Sequence, residues 1–440
     1  MNWLQLISNC RLGQEHRHQE RHDDRTEFKR DYDRLIFSAP FRRLQNKTQV
    51  FPLPGSVFVH NRLTHSLEVA SVGMSLGSDV ARHLCAKNPH FIDSLIPEIG
   101  QIVATACLAH DLGNPPFGHS GEKAIQTFFT EGKGLLLKER VSPEFWSDIT
   151  RFDGNANAFR LLTHSFKGRR KGGFAMTYST LASIVKYPFP SFVAKKNKFG
   201  FFCSERSHYE TLAAQLGIVQ TAPEHWARYP LVYLVEAADD ICYEIMDLED
   251  AYKLKILTYD ETAQLMLGFF DEMAKNRICQ RIADEELTDP NEKIQYLRAC
   301  TIGLLENECV QTFIDHEDEI LAGTFQGTLI DHISPTPAQA YRYCATLSRQ
   351  RIYKSKPVLD VELSGYRIMA TLMELMIEAI EHPDRYYSQQ LIGRVSSQYD
   401  IENPDLETRI MAVIDYISGM TDVYALDVYQ KICGISLPIV

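Results

Sequence analysis

Apolar residues recur at helical spacing along most of this 440-residue chain. In residues 226–252 they form one stripe of a long helix, at Leu231, Leu234, Val235, Ala238, Ile241, Cys242, Ile245 and Leu248. The same spacing predicts helices over 62–86, 97–111, 121–130, 259–275, 290–306, 337–350, 358–382 and 404–418. We find no β-rich region, although residues 186–203, which contain two prolines, suit either a loop or a short hairpin. The sequence therefore predicts an all-α fold.

The chain is about two to three times as long as a usual domain, yet it has no internal repeat, low-complexity segment or clear linker. We predict an N-terminal region over residues 1–250 and a helical C-terminal region over 251–440, joined as one structural unit. No apolar run reaches the length of about 18 residues that a membrane span needs, and the N-terminus lacks the features of a signal peptide. Ten cysteines without a CxxC pair favour reduced thiols and a cytoplasmic location.

The net charge is −11, from 46 Lys and Arg against 57 Asp and Glu. Binding to a phosphate backbone rewards clustered cations, so this balance argues against nucleic acid as the primary partner. The segment over residues 11–47 differs from the rest, because it is rich in arginine: Arg11, Arg17, Arg21, Arg25, Arg30, Arg34, Arg42 and Arg43. A local anion site within an acidic protein is consistent with that segment.

Four ionisable residues form a candidate metal site: His65, the adjacent pair His110 and Asp111, and Asp239. Singly each is ordinary, since a lone histidine on an apolar helix is more often a core or surface residue than a ligand. His110 and Asp111, however, end a helix of small apolar residues, where two ionisable groups are costly to bury without a partner. A divalent cation is a natural partner, and this mixed nitrogen and oxygen set suits Mn, Fe, Co, Ni or Zn and tolerates Mg. Such a set leaves positions open for water and substrate.

The choice between Asp239 and Asp240 rests on their positions around the helix. At about 100° per residue, Asp240 lies opposite the apolar stripe. It shares a charged face with Glu236, Glu244 and Asp247. Asp239 lies at the edge of the stripe. We therefore predict Asp239 as the ligand, and Asp240 as a carboxylate that is either solvated or supports the site from behind the ligands.

Seven ordered segments that contain or flank these residues resemble the bacterial deoxyguanosine triphosphate triphosphohydrolase (dGTPase) family. His65, His110-Asp111 and Asp239 match the H…HD…D pattern of the HD superfamily, which alone is weak evidence. The flanking residues are more specific, and they extend over nearly the whole chain: 42–52, 61–66, 110–119, 152–157, 186–188, 238–243 and 415–422.

The resemblance implies an HD-domain helical fold with a helical C-terminal lobe and a divalent metal. It implies that a deoxynucleoside triphosphate (dNTP) is hydrolysed to a deoxynucleoside and tripolyphosphate. It further implies a homo-oligomer, a hexamer or a tetramer, and leaves open an activating nucleotide. The motifs do not fix which dNTP is preferred.

The reaction needs a general acid, because the leaving 5′-oxygen must gain a proton. His119 is the candidate, since a Gly-Asn-Pro-Pro-Phe-Gly turn separates it from His110 and can fold it over the metal. Glu122, one helical turn later, can orient or charge the imidazole. Two alternatives stay open: His119 only begins the next helix, or it helps to deliver the nucleophile.

Substrate contacts are predicted on five residues. The chain has no GxxxxGK[ST] loop, so arginine and lysine must bind the triphosphate together with the metal. Arg62, on the same helical face as His65, is the first candidate, and Lys186 resembles a phosphate contact of the family. Tyr243 either packs on the sugar, where it would exclude a 2′-hydroxyl, or is a half-buried core tyrosine. The resemblance places Gln49 and Val50 near the base.

Two other functions fit parts of this pattern. Another HD enzyme, a nucleotide phosphohydrolase or phosphodiesterase, would share the metal set without the triphosphate contacts. A catalytically silent regulator that binds nucleotides or single-stranded DNA would need a local groove. It is disfavoured because every expected ligand is present.

Overall fold

The computed structural model describes residues 1–15, 24–52 and 59–436, and within them helices dominate. The only sheet in these ranges has two antiparallel strands, β1 (Gln220–Ala222) and β2 (His225–Trp226). The all-α prediction is confirmed.

The helices are spread along all of the described ranges. In chain order they are α1 (Trp3–Leu6), α2 (Glu27–Ile36), α3 (Ala39–Arg43), α4 (Arg62–Lys87), α5 (Ile99–Ala109), α6 (His119–Thr130), α7 (Pro143–Thr150), α8 (Gly154–Thr163), α9 (Tyr178–Ser183), α10 (Arg206–Leu216), α11 (Pro230–Lys253), α12 (Tyr259–Leu267), α13 (Glu272–Asp284), α14 (Pro290–Asp315), α15 (Glu317–Ala322), α16 (Pro335–Leu347), α17 (Lys356–Glu381), α18 (Tyr386–Ile392), α19 (Leu406–Ser418) and α20 (Asp422–Ile432). A π-helical turn, Ser348–Ile352, follows α16.

One predicted helix differs from the structure, and for residues 186–203 the loop alternative is confirmed. The prediction of a single helix over residues 259–275 is wrong, because the helix ends at Leu267. A new helix begins after Asp271, whose side chain caps it by accepting a hydrogen bond from the Ala274 amide. No hairpin forms over 186–203, which is a loop with one short helical turn and a single bridge between Pro190 and Phe201.

Helices α4, α5 and α11 form the centre of the fold and carry the candidate metal ligands. Asn61 and Thr64 cap the start of α4 reciprocally, each side chain bonding the other's backbone amide. The helix α5 is buried along nearly its whole length. Small residues let α4 and α5 approach closely: a Cβ atom on Gly77 would lie 2.8 Å from the Cα of Gly100. This approach aligns the start of α4 with the end of α5.

A second apolar core joins α6 to the C-terminal helices α17, α19 and α20. Its buried residues come from both sides of residue 250, for example Phe129 and Phe152 on one side and Met369 and Ile414 on the other. The division into regions 1–250 and 251–440 stays a prediction. Helix α6 begins at His119 and packs on α17, so the C-terminal helices support the residue that is predicted as the general acid.

None of the helices in the described ranges is both long and apolar enough to cross a membrane.

Candidate active site

Three helices bring three of the predicted ligands together. His65 lies in the first turn of α4, His110 directly follows α5, and Asp239 lies in the middle of α11. The Oδ1 atom of Asp239 is 3.1 Å from Nε2 of His65 and 3.5 Å from Nε2 of His110. One ligand atom from each of the three lies within 4.8 Å of the others. Such a cluster can hold a metal ion.

His110 offers the clearest test of whether a cation fits. Its Nδ1 atom lies 2.6 Å from the backbone carbonyl of Cys107 and therefore donates its proton there. When the imidazole is neutral, as metal binding requires, the other ring nitrogen, Nε2, is then an acceptor. It is buried and has no hydrogen-bond partner among the described residues. A metal ion bound between His65 and Asp239 would give this nitrogen a partner, so the residues present fit a metal.

The fourth predicted ligand, Asp111, is held by other partners. Its Oδ2 accepts a 2.7 Å hydrogen bond from Nη1 of Arg62, and its Oδ1 accepts one from the Asn114 side chain. Oδ1 also lies 3.6 Å from Nε2 of His110. Asp111 thus borders the cluster, and its part in metal binding stays a prediction.

The ionisable groups of the cluster shift one another's pKa values. Burial alone would lower the pKa of His110, but Asp111 and Asp239 raise it to about 9. Burial alone would raise the pKa of Asp239, but His110 and His65 hold it well below its ordinary value. Two carboxylates therefore stay ionised in a buried site, where a divalent ion would stabilise them.

His119, the predicted general acid, is the first residue of α6, and its side chain is 81% exposed. Its Nδ1 lies 3.2 Å from Oε2 of Glu122, one turn later. The other carboxylate oxygen of Glu122 accepts a 2.7 Å hydrogen bond from the Gly154 amide. The bond to Glu122 raises the pKa of His119. A fixed carboxylate thus orients an imidazole that remains open to solvent and substrate.

The turn before His119 is shaped by Gly118 and Arg62. Gly118 has a φ of +54°, which L side chains rarely adopt, and a Cβ atom there would lie 2.6 Å from Nη2 of Arg62. Arg62 is buried at the start of α4 and binds Asp111 with its other terminal nitrogen. This contact places a buried cation between the ligand cluster and the His119 turn. Its predicted contact with the α-phosphate stays a prediction.

Lys186 pairs with α11 at Glu236, three residues before Asp239. Its Nζ atom is 2.9 Å from Oε1 of Glu236, whose other oxygen is bound by Arg228. Burial alone would lower the pKa of Lys186, but Glu236 and its neighbours raise it, so the side chain stays cationic. The structure places this lysine beside the predicted site, and its contact with phosphate stays a prediction.

The charged face of α11 is largely buried, which bears on the two alternatives for Asp240. Glu236, Glu244 and Asp247 are all buried, and the last two are covered by residues of the C-terminal half. Ser348 donates a hydrogen bond to Glu244 and Tyr353 donates one to Asp247. Burial also raises the pKa of Asp240 to about 8, against the attraction of Lys186. Asp240 is therefore not freely solvated, and its support of the ligands stays a prediction.

Tyr243 lies one turn after Asp239, with its ring centroid 6.4 Å from that of His65 and 5.9 Å from that of Tyr353. The ring is only partly buried, so it is not a closed core position. Its proximity to a metal ligand suits contact with a bound substrate, which stays a prediction.

Gln49 and Val50 lie next to the start of α4, since Thr48 forms a bridge with Asn61. The Oε1 atom of Gln49 is buried and has no hydrogen-bond partner in the part of the chain that the structure describes. This vacant acceptor is consistent with the predicted contact to a base, which stays a prediction. The six residues that follow Pro52 lie outside the described ranges.

Sequence reasoning missed several residues that hold the site. His60 binds Asp250 through Nδ1 at 2.8 Å and Glu68 through Nε2 at 3.1 Å, tying the start of α4 to the end of α11. Burial alone would lower the pKa of His60, but these two carboxylates raise it to about 9. Glu68 lies only eight residues after His60, so the sequence could have indicated that these two side chains pair. Asp250 was not, because it lies 190 residues away.

Asp422 was also missed, although it lies in a segment that carries the resemblance. Its two carboxylate oxygens accept hydrogen bonds from the amides of Phe117 and Thr48, both at 2.8 Å. Lys47, beside Thr48, donates to the carbonyl oxygens of Asn114 and Ser418. The C-terminal helices thus fix the turn that precedes His119.

Comparison with known proteins defines the class of this site. The model of the HD domain matches residues 62–176, and that of the phosphohydrolase-associated domain matches residues 332–431. The chain therefore contains an HD domain and is an HD-type phosphohydrolase, and His65 and His110 of the cluster lie within the matched range.

Relatives along the full chain define the family. A "deoxyguanosinetriphosphate triphosphohydrolase-like protein" of Synechocystis is 37% identical over 99% of this chain and 100% of the relative. One of Pseudomonas aeruginosa is 37% identical over the whole of both chains. A "deoxyguanosinetriphosphate triphosphohydrolase" of Yersinia enterocolitica is 28% identical over 92% of this chain and 93% of the relative. The chain belongs to the family of deoxyguanosinetriphosphate triphosphohydrolase-like proteins.

Proposed function

We propose that this protein hydrolyses a dNTP to a deoxynucleoside and tripolyphosphate. The observation that carries the proposal is the placement of His119, held by a buried carboxylate, at the turn that Arg62 links to the ligand cluster. An acid for the leaving group and a cation for the phosphate chain then lie on one side of a metal-binding cluster. The printed names of the relatives support the same substrate class.

In the proposed reaction a water oxygen forms a bond to the α-phosphorus, and the bond from that phosphorus to the 5′-oxygen breaks. The water loses a proton to the solvent, from which His119 regains its own after the reaction. The electron pair stays on the 5′-oxygen, and the imidazolium of His119 gives it a proton. Glu122 stabilises the charged imidazole and fixes its orientation. Arg62 and Lys186 bind the phosphate oxygens, and bidentate contact from a guanidinium suits that role.

His65, His110 and Asp239, with Asp111 at the border, would hold a divalent cation. Such an ion, when bound, withdraws charge from a phosphate oxygen and lowers the pKa of water. The nitrogen-rich donor set favours Mn, Fe, Co, Ni or Zn over Mg.

We further propose which residues select the nucleotide, and in which oligomer and compartment the protein acts. Tyr243 packs on the deoxyribose and excludes a 2′-hydroxyl, while Gln49 and Val50 contact the base. A cytoplasmic homo-oligomer, a hexamer or a tetramer, is the proposed form. The ten cysteines, none of which forms a disulfide, suit that compartment.

Chromatography of the products tests this function. The protein is incubated with each dNTP, singly and mixed, with Mn²⁺ or Mg²⁺, beside the His110→Ala and Asp239→Ala variants. We expect a deoxynucleoside and intact tripolyphosphate from the wild type only, and loss of bound metal in both variants. Turnover only in mixtures would indicate an activating nucleotide. Nucleotide binding without turnover in any mixture would favour a silent regulator.

A further inference from the structure

Helix α17 exposes apolar side chains along the N-terminal half of its length. Leu359, Leu363 and Tyr366, here called the α17 stripe, are all exposed, and Leu363 is 71% exposed. Their spacing of four and three residues places them on one face of the helix. The C-terminal half of the same helix is instead packed into the second apolar core, as at Met376 and Ile377. Neighbouring apolar residues left in solvent and rimmed by polar ones are typical of a protein–protein contact.

Two opposite charges flank the α17 stripe. Asp360 lies three residues before Leu363, and Arg367 lies four residues after it. Because seven residues complete nearly two helical turns, Asp360 and Arg367 lie within about 20° of each other around the helix. Both residues are exposed, and neither forms an ion pair with any residue in the described ranges. The face therefore presents an unpaired anion and an unpaired cation on opposite sides of its central leucine.

This order of charges is complementary to its own reverse. If two copies pair through the α17 stripe with antiparallel helices, a twofold axis lies near Leu363. Asp360 of each copy then faces Arg367 of the other, so that two ion pairs form at the rim of the contact. The two Leu363 side chains meet at the centre. Parallel helices would instead bring like charges together at both positions, which opposes that arrangement.

The α17 stripe is connected to the turn that precedes the proposed general acid. Gly365 lies so close to Phe117 that a Cβ atom on this glycine would clash with the phenylalanine side chain. The carbonyl oxygen of Glu362 accepts a hydrogen bond from the hydroxyl of Ser120, the residue after His119. A second copy bound to the stripe would therefore support the helix against which this turn packs.

An open groove of about 620 Å³ lies beside the α17 stripe. Its lining includes Leu359 of the stripe and Tyr353 from the turn before α17. The ring of Tyr353 lies 5.9 Å from that of Tyr243, which in turn lies 6.4 Å from that of the candidate ligand His65. A second copy that covers Leu359 would close one side of this groove, so the candidate site of one copy would border the other copy.

We propose that the α17 stripe binds the same stripe of a second copy, with the two helices antiparallel around a twofold axis near Leu363. The inference rests on the proposed homo-oligomer and assigns one of its interfaces. A second copy suits this face better than an unrelated protein, because it supplies the required anion and cation in the required order. The interface joins two candidate active sites through α17 and the turns before His119.

Charge reversal at the rim of the contact tests this interface. Asp360→Arg or Arg367→Asp alone would place like charges opposite each other, whereas the two substitutions together restore opposite charges. We expect each single variant to weaken association across the interface roughly tenfold or more, which would halve a hexamer or a tetramer. We expect the double variant to recover the wild-type mass. Sedimentation equilibrium at several protein concentrations measures these masses.

The control is Arg277→Asp, a charge reversal at an exposed position on α13, which should keep the wild-type mass. Recovery in the double variant separates lost charge complementarity from misfolding, because a second reversal would not refold a damaged helix. Unchanged mass in both single variants, or no recovery in the double variant, would overturn this interface while the proposed homo-oligomer stands. A monomeric wild type would overturn both. Because no turnover is measured, each result leaves the proposed hydrolysis to its own test.

Discussion

At the scale of single residues, His119 and Glu122 form a pair in which the first side chain is exposed and the second is buried. The imidazole is open to solvent, whereas the carboxylate that orients it is buried and fixed by the Gly154 amide. Burial alone would raise the pKa of Glu122, but its bond to His119 lowers it. The pair is therefore an ionised carboxylate beside an imidazole that holds its proton to a higher pH than usual.

Replacing His119 tests whether it is the acid. We expect His119→Ala to lower kcat by roughly 10²–10⁴ and to leave the bound metal unchanged, because His119 lies outside the ligand cluster. Steady-state kinetics and metal analysis measure the two effects. His83→Ala, an exposed histidine on α4, is the control and should keep full activity. Full activity of His119→Ala would contradict the assigned role.

Replacing Glu122 tests how His119 is tuned. The acid works only when protonated, so kcat falls as pH rises through the pKa of His119. Glu122 raises that pKa, so Glu122→Gln should shift the falling limb of the pH profile of kcat to lower pH. Glu131→Gln, an exposed position that ends the same helix, is the control. An unmoved limb, or one shifted to higher pH, would contradict the assignment.

Residue types alone predicted most of the ligand cluster, because ionisable groups in apolar helices are costly to bury unless they bind a partner. They could not predict the environment of Asp240. The helical pattern correctly placed it opposite the stripe, but this face of α11 is covered by residues about 100 positions later, such as Tyr341 and Tyr353. A single helix carries no information on what packs over its polar face.

At the scale of elements, the turn between α5 and α6 is held by the C-terminal helices. Phe117 has a φ of +61°, which is uncommon for a residue with a side chain. Its amide donates to Asp422, the first residue of α20. A strained residue immediately before the Gly118-His119 pair is thus stabilised by a helix more than 300 positions away. This hydrogen bond positions the proposed acid without touching substrate.

A substitution of Asp422 tests whether this residue positions the turn before His119 or only stabilises the fold. Asp422→Asn keeps one acceptor oxygen, so either the Phe117 or the Thr48 amide loses its partner, at a cost of about 1–3 kcal/mol. We expect lower kcat with nearly unchanged KM, measured beside the free energy of unfolding. Asp427→Asn, whose carboxylate pairs only with Lys431 in the described structure, is the control and should change neither. A loss of stability with unchanged kcat would contradict a positioning role.

Helix positions were predictable where apolar spacing and caps agree. The predicted helix over 62–86 is Arg62–Lys87, and Asn61 supplies its cap. The break between α12 and α13 was not predicted, since Phe269 and Phe270 continue the apolar pattern while turning into the core. Spacing shows which residues are buried, but it does not show where the backbone changes direction.

At the scale of the whole molecule, a buried ion triad joins distant parts of the chain. Arg160 of α8 donates two hydrogen bonds to Asp415 of α19, at 2.8 and 2.7 Å, and a third to Glu205 at 2.6 Å. All three side chains are buried. Sequence could not reveal this contact, because the partners lie 45 and 255 positions apart.

Removal of Arg160 should therefore weaken the whole fold. Arg160→Met leaves two buried carboxylates without their cation, which costs about 3–5 kcal/mol of unfolding free energy. Urea denaturation measures it. Lys167→Met breaks an exposed pair with Asp400 and should cost less than about 1 kcal/mol. Equal effects of the two substitutions would contradict a structural role for the triad.

The central claim is that water attacks the α-phosphorus of a dNTP at this site. Turnover in water enriched in ¹⁸O, followed by mass spectrometry of both products, tests it most directly. We expect one ¹⁸O atom in tripolyphosphate and none in the deoxynucleoside. Label in the deoxynucleoside, or release of a monophosphate with pyrophosphate, would contradict it.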